Sequence, residues 1–100
     1  TGKLSQAALE TLAVVAYRQP VTRSRISAIR GVNVDSVVRT LIARGLIEET
    51  THDHETGALL LRTTNYFLER LGLRSLDELP PIADHLPMPD DVEEVLDITL

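Results

Sequence analysis

TRSRISAIRGVNVDSVVRTLIARG, residues Thr22 to Gly45, reads as two short helices joined by a tight turn. Thr22 is placed to cap the first by accepting a backbone N–H bond, Ile26 and Ile29 share a face, and Gly31 provides a left-handed stop. Asn33 is the expected cap of the second helix. There Val34, Val37, Val38, Leu41 and Ile42 keep the three-and-four spacing of a buried stripe, which leaves Asp35, Ser36, Arg39, Thr40 and Arg44 facing outward until Gly45 ends the run. This is a helix-turn-helix pattern, in which the second helix often enters a DNA major groove.

The flanks extend the pattern. Ser5 is the expected cap of a helix from Gln6 to about Tyr17, with Leu9, Leu12, Ala13 and Ala16 on its buried face; Val14 and Val15 widen that face beyond what one core needs, as if a partner were expected. Gln19-Pro20 ends this helix, because proline disfavours helical geometry in the residue before it. After Gly45, residues 46–50 and 58–63 read as the two strands of a β-hairpin around a polar turn from Thr51 to Gly57. Leu59, Leu61 and Thr63 face one way, Leu60 and Arg62 the other. A hairpin in that position is the wing of a winged-helix domain. Thr64 is placed to cap a last helix with Phe67, Leu68 and Leu71 inward and Gly72 as its stop. Ser75 and Glu78 then read as a capping box for one more turn, packing Leu73, Leu76 and Leu79 on the body before Pro80-Pro81. The fold class is therefore mainly α with a small β-hairpin (α+β), a winged helix-turn-helix over residues 1–83.

A chain of 100 residues with 43% apolar content suits one small core, and its lack of cysteine rules out a disulfide framework or a zinc ribbon and fits a reducing cytosol. The first residues do not resemble a signal peptide, no run is long enough to span a membrane, and a soluble intracellular domain is expected. Without an initiator Met, the chain reads as a piece of a longer protein. The net charge of −5 is unevenly placed. Residues 1–83 carry all ten Lys and Arg against nine acids, whereas 84–100 carry six acids and no Lys or Arg. Near-neutrality of the body, and a wing turn without Lys or Arg, argue against a dedicated DNA reader. Residues 84–100 read as an acidic tail, mobile or forming a short amphipathic helix, since Val92, Val95, Leu96 and Thr99 keep helical spacing.

Two clusters remain. Arg18, Arg23, Arg25 and Arg30 gather around the Pro20 junction, either as a solvated rim or as an anion or partner site. His52-Asp53-His54-Glu55 places two His at i and i+2 on a strand, a spacing that can share a metal; with His85 the only other His, a polar hairpin tip is the ordinary reading and no metal site is assigned. With three His, no Cys and no Gly-rich phosphate loop, no catalytic residues and no cofactor site assemble, and the chain is not expected to be an enzyme.

The residues LSQAALETLAVVAYRQPVTRSRISAIRGVNVDSVVRTLIARGLIEE, followed by TTNYFLERLGLRSLDELPPI, resemble the second winged-helix domain of the segregation and condensation protein B (ScpB) family. AYRQPVTR, IRGVN, RGLIE, FLERLGL and LDELPP carry the likeness over Leu4 to Ile82. The wing departs from the family's Gly-Arg and Gly-Arg-Pro pattern, and Arg25 stands where the family commonly has an acid. The resemblance implies a non-enzymatic subunit of the bacterial SMC–ScpAB condensin complex, cytoplasmic and associated with the nucleoid. It implies binding to the kleisin ScpA, contact with SMC through ScpA, homodimerisation of the full-length protein mainly through a first winged-helix domain, and at most weak, nonspecific DNA contact. Tyr17, Arg18, Gln19, Arg23, Arg30 and Arg39 are the candidate partner-binding residues, an aromatic and Arg mixture of the kind enriched at interface hot spots. The alternative is a winged-helix transcriptional regulator, with Ser36, Arg39 and Thr40 on bases and Arg23, Arg25 and Arg44 on phosphates.

Overall fold

At the centre of the computed structural model, which describes residues 3–80, lies a helix covered on nearly every side. Ser5 is extended and its hydroxyl accepts the Ala8 N–H, which starts α1 (Gln6–Arg18). Ala8, Leu9 and every residue from Thr11 to Ala16 are buried. The width of this apolar face, expected to await a partner, is instead covered by the chain's own second and third helices and third strand. In a domain this small a single helix has to supply much of the core, which is why it is apolar beyond one stripe.

The central stretch folds as read, with one displacement. Thr22 accepts the Arg25 N–H and caps α2 (Arg23–Arg30), and Gly31 closes it at φ 75°, a left-handed conformation in which a Cβ would be strained. α3 (Asp35–Ala43) begins one residue later than Asn33 predicts: Val34 occupies the cap position without a side-chain cap bond. The Asn33 carboxamide oxygen still takes the Asp35 N–H at 2.8 Å, and the Ser27 hydroxyl accepts the Val34 N–H. Val34 itself is buried, so its packing holds the entry of α3. Val38 and Leu41 are fully buried, and Val37 and Ile42 pack on the core from its edge.

The sheet has three strands where a two-stranded hairpin was expected. β1 (Val21–Thr22) pairs antiparallel with β3 (Leu59–Thr63), which pairs on its other side with β2 (Ile47–His52), so the order is β1-β3-β2. Val21 stands opposite Leu61 and Ile47 opposite Thr63, all four turned into the core. β2 runs on to His52, with an irregularity between Glu49 and His52. The tip is correspondingly shorter. Thr64 caps α4 (Asn65–Leu71), which seats Phe67 in the centre of the core.

A 3-10 turn at Leu76–Glu78 follows, but not through the expected capping box. The Ser75 side chain caps nothing, and the Glu78 carboxylate instead accepts the Arg74 N–H and pairs with the Arg74 guanidinium. Leu79 packs against the core while Leu76 stays exposed, contrary to its expected burial. The expectations for residues 81–100, including the domain limit at 83, the acidic tail and His85, lie outside the described residues.

Candidate functional site

The C-terminal end of α1 is the pivot of the surface, because Tyr17, Arg18 and Gln19 leave it in different directions. Tyr17 is half-buried; its hydroxyl donates to the Pro80 carbonyl at 2.8 Å, and burial raises its phenol above the ordinary value of 10.0. Gln19 is a bracket between elements. Its amide nitrogen donates to the Ala16 carbonyl, while its oxygen accepts both the N–H and the hydroxyl of Thr63 on β3, at 2.9 and 3.1 Å. Arg18 is exposed.

The remaining candidate arginines divide. Arg23 pairs with Glu49 at 2.8 Å across α2 and β2, and Arg30 pairs with Glu10 of α1 in a mostly buried contact. Two surface pairs add to these, Arg62 with Glu48 and Arg74 with Glu78. Arg18, Arg25 and Arg39 make no ion pair among the described residues. Of the six residues named from sequence, Tyr17, Gln19, Arg23 and Arg30 thus hold the fold together, while Arg18 and Arg39 face solvent on different helices.

Among the described residues, two open grooves flank that pivot. One, of about 480 Å³, runs beside β1 and is lined by Arg18, Pro20, Val21, Thr22, Arg25, Leu60 and the wing residue Asp53. The other, of about 490 Å³, lies over the β2–β3 face and the start of α4, where Gln19, the Glu48–Arg62 pair, Tyr66, Leu68 and Leu76 meet. Tyr66 at 48% and Leu76 at 41% exposure are two of the three large apolar side chains most exposed among the described residues. Sequence reasoning passed over Tyr66 and expected Leu76 to be buried. Tyr66 was readable, since it falls off the Phe67, Leu68, Leu71 stripe and so had to face outward.

At the wing, the premise for a metal does not hold: His52 ends β2, whereas His54 lies in the turn, so the two do not share a strand face. The Asp53 carboxylate organises the tip instead, accepting the Glu55 N–H and the Thr56 hydroxyl. Among the described residues no group of three or more His, Cys, Asp or Glu is placed to hold a metal ion. No helix among them is long and apolar enough to cross a membrane. On α3 and at its C-terminal cap, Ser36, Arg39, Thr40 and Arg44, named for base and phosphate reading, are exposed, and the Thr40 hydroxyl donates back to the Ser36 carbonyl.

Residues 1–82 match the family model described as segregation and condensation complex subunit ScpB. A segregation and condensation protein B of Oceanobacillus iheyensis is 50% identical over 99 residues, covering 98% of this chain and 51% of that protein. The one from Moorella thermoacetica is 56% identical over 82 residues, covering 81% and 42%. In three dimensions the chain is similar to the crystal structure of ScpB from Mycobacterium tuberculosis, with a TM-score of 0.71 and 70% identity over 73% of this chain and 46% of that one. The chain spans about half the length of the curated relatives it matches.

Proposed function

The chain belongs to the ScpB family of segregation and condensation complex subunits, and from that premise we propose that it is a non-enzymatic, protein-binding part of the SMC–ScpAB condensin, acting in chromosome condensation and segregation. Its direct partner is the kleisin ScpA, through which it meets SMC; dimerisation belongs to another region of the full-length protein, and the site of action is the cytoplasmic nucleoid. The observation that favours protein over DNA is the fate of the arginines. Four of the nine arginines pair with glutamates of the same chain, and the turn of the wing, where a backbone-tracking hairpin would carry cations, has no Lys or Arg. An exposed Tyr66 and Leu76 on a groove rimmed by polar groups instead suit an apolar segment of a protein.

We place the kleisin segment in the Tyr66–Leu76 groove and across the end of α1, where it meets Arg18; Arg39 contributes from α3. Tyr17, Gln19, Arg23 and Arg30 support this surface by holding α1, α2 and the sheet in register. Titration calorimetry with the central segment of ScpA tests the reading. Tyr66→Ala together with Leu76→Ala weakens binding by about tenfold or more, as removal of a central apolar anchor does. Unchanged affinity in this variant, with its fold intact by circular dichroism, overturns the groove assignment; no binding by the parent chain overturns the kleisin reading.

A further inference from the structure

The groove beside β1 brings two arginines to one concavity, Arg18 from the last turn of α1 and Arg25 from the first turn of α2, and Pro20 and half-buried Leu60 line it with them. Neither makes an ion pair among the described residues, whereas Arg23, Arg30, Arg62 and Arg74 each have a glutamate. Asp53 lines the same groove, but its carboxylate already accepts two hydrogen bonds within the wing turn. A groove that sets two unpaired arginines beside the apolar side chains of Pro20 and Leu60 is complementary to an acidic segment that also carries apolar residues.

This chain contains such a segment. Residues 84–100 carry six acids and no Lys or Arg, and Val92, Val95 and Leu96 recur three and four apart among them. Its approach is fixed at one end, since the Tyr17 hydroxyl holds the Pro80 carbonyl against α1, one residue before Arg18. Ten residues from Pro80 to Asp90 extend to about 35 Å at most. Reach therefore permits any face, and charge decides among them. The second groove is the poorer match, because its arginine, Arg62, is already paired with Glu48. Tethering also favours the chain's own segment over one in solution, by an effective concentration in the ~mM range.

We propose that the acidic segment 90–99 docks in cis in the Arg18–Arg25 groove, its carboxylates on the two guanidinium groups and its apolar residues against Pro20 and Leu60. This reading goes beyond the kleisin assignment and is tested without any partner, so the two stand or fall separately.

The test is amide chemical shifts and heteronuclear NOEs of the ¹⁵N-labelled 100-residue chain at about 0.05 M salt, where exposed charges are weakly screened. Amides 90–99 show restricted motion, and Thr22 and Leu60 report the docked segment. Arg18→Glu with Arg25→Glu lowers the docked-to-free ratio by about tenfold, the scale of two exposed ion pairs lost. Raising salt to about 0.5 M acts in the same direction. Arg39→Glu, at an unpaired arginine outside the groove, leaves the segment docked. Should the double reversal disturb the body, Asp90→Asn, Asp91→Asn, Glu93→Gln, Glu94→Gln and Asp97→Asn combined leave the body untouched and release the segment equally. Freely moving amides 90–99 in the parent chain, or equal order in parent and charge variants, overturn the proposal. Docking that grows with protein concentration overturns it too, in favour of a second copy as the occupant.

Discussion

Thr11 sits fully buried in α1, and its hydroxyl finds no partner among the described residues. Valine has nearly the same shape without the polar atom, so Thr11→Val stabilises the fold by about 1 kcal/mol, read as a higher urea midpoint; a lower midpoint shows that the hydroxyl is satisfied. Tyr17 makes a pH prediction. Because burial raises the phenol's folded pKa above its unfolded value near 10.0, the folded state holds the proton longer. That stabilising contribution is complete below the unfolded pKa and is lost as pH rises through the higher folded value. Tyr17→Phe keeps the ring but has nothing to ionise, so its urea midpoint falls less steeply than the parent's from about pH 10 upward. Parallel profiles contradict this. Arg30, named from sequence for binding, belongs with the stabilising groups: its partner Glu10 lies a helix away, and no local pattern announces a pair closed only by packing α1 against α2.

Each of α1, α2 and α4 starts from a hydroxyl that accepts an N–H three residues on, but the three caps are not equal. Ser5 does only that. Thr64 also donates its own hydroxyl to the Gly45 carbonyl at 2.6 Å, tying the start of α4 to the exit of α3. Thr64→Ala therefore costs about 2 kcal/mol where Ser5→Ala costs about 1, and Thr64→Ser recovers most of the difference. Equal losses in urea melts remove the tie. These caps were legible because they are local, a hydroxyl followed by an apolar rhythm and closed by glycine. β1 was not, since two residues offer no alternation to read; they become a strand only because β3 lies alongside. The Val34 cap was missed for a similar reason, as Asn33 carries the familiar side chain while burial of Val34 sets where α3 begins. Leu76 shows the converse. Spacing told which leucines lie on one side of a turn, not how far each is covered: Leu79 packs on the core, while Leu76 is left 41% exposed.

At the scale of the molecule, the arginine cluster was legible in the sequence but its pairing was not: Glu10 and Glu49, distant in sequence, take up Arg30 and Arg23. The same pairing leaves Lys3, Arg18, Arg25 and Arg39 without an ion pair among the described residues. Duplex DNA binding is accordingly weak, with a slope of log affinity on log salt no steeper than about −4; a slope near −6 would restore the regulator reading. The two grooves meet at the end of α1, where Arg18 lines one and Gln19 the other. If segment 90–99 covers Arg18 and the kleisin requires it, only the undocked fraction is competent, and the apparent dissociation constant is the intrinsic one divided by that fraction. Deleting residues 84–100 then tightens ScpA binding by a factor of one plus the docked-to-free ratio, which the NOE experiment measures independently. A gain equal to that factor means full exclusion, a smaller gain means that only the Arg18 end is shared, and no gain separates the two surfaces even where docking itself is seen. Arg18→Ala discriminates further. It loosens the tail and the kleisin together, so its net effect on affinity is smaller than that of Tyr66→Ala with Leu76→Ala, which touches the kleisin groove alone.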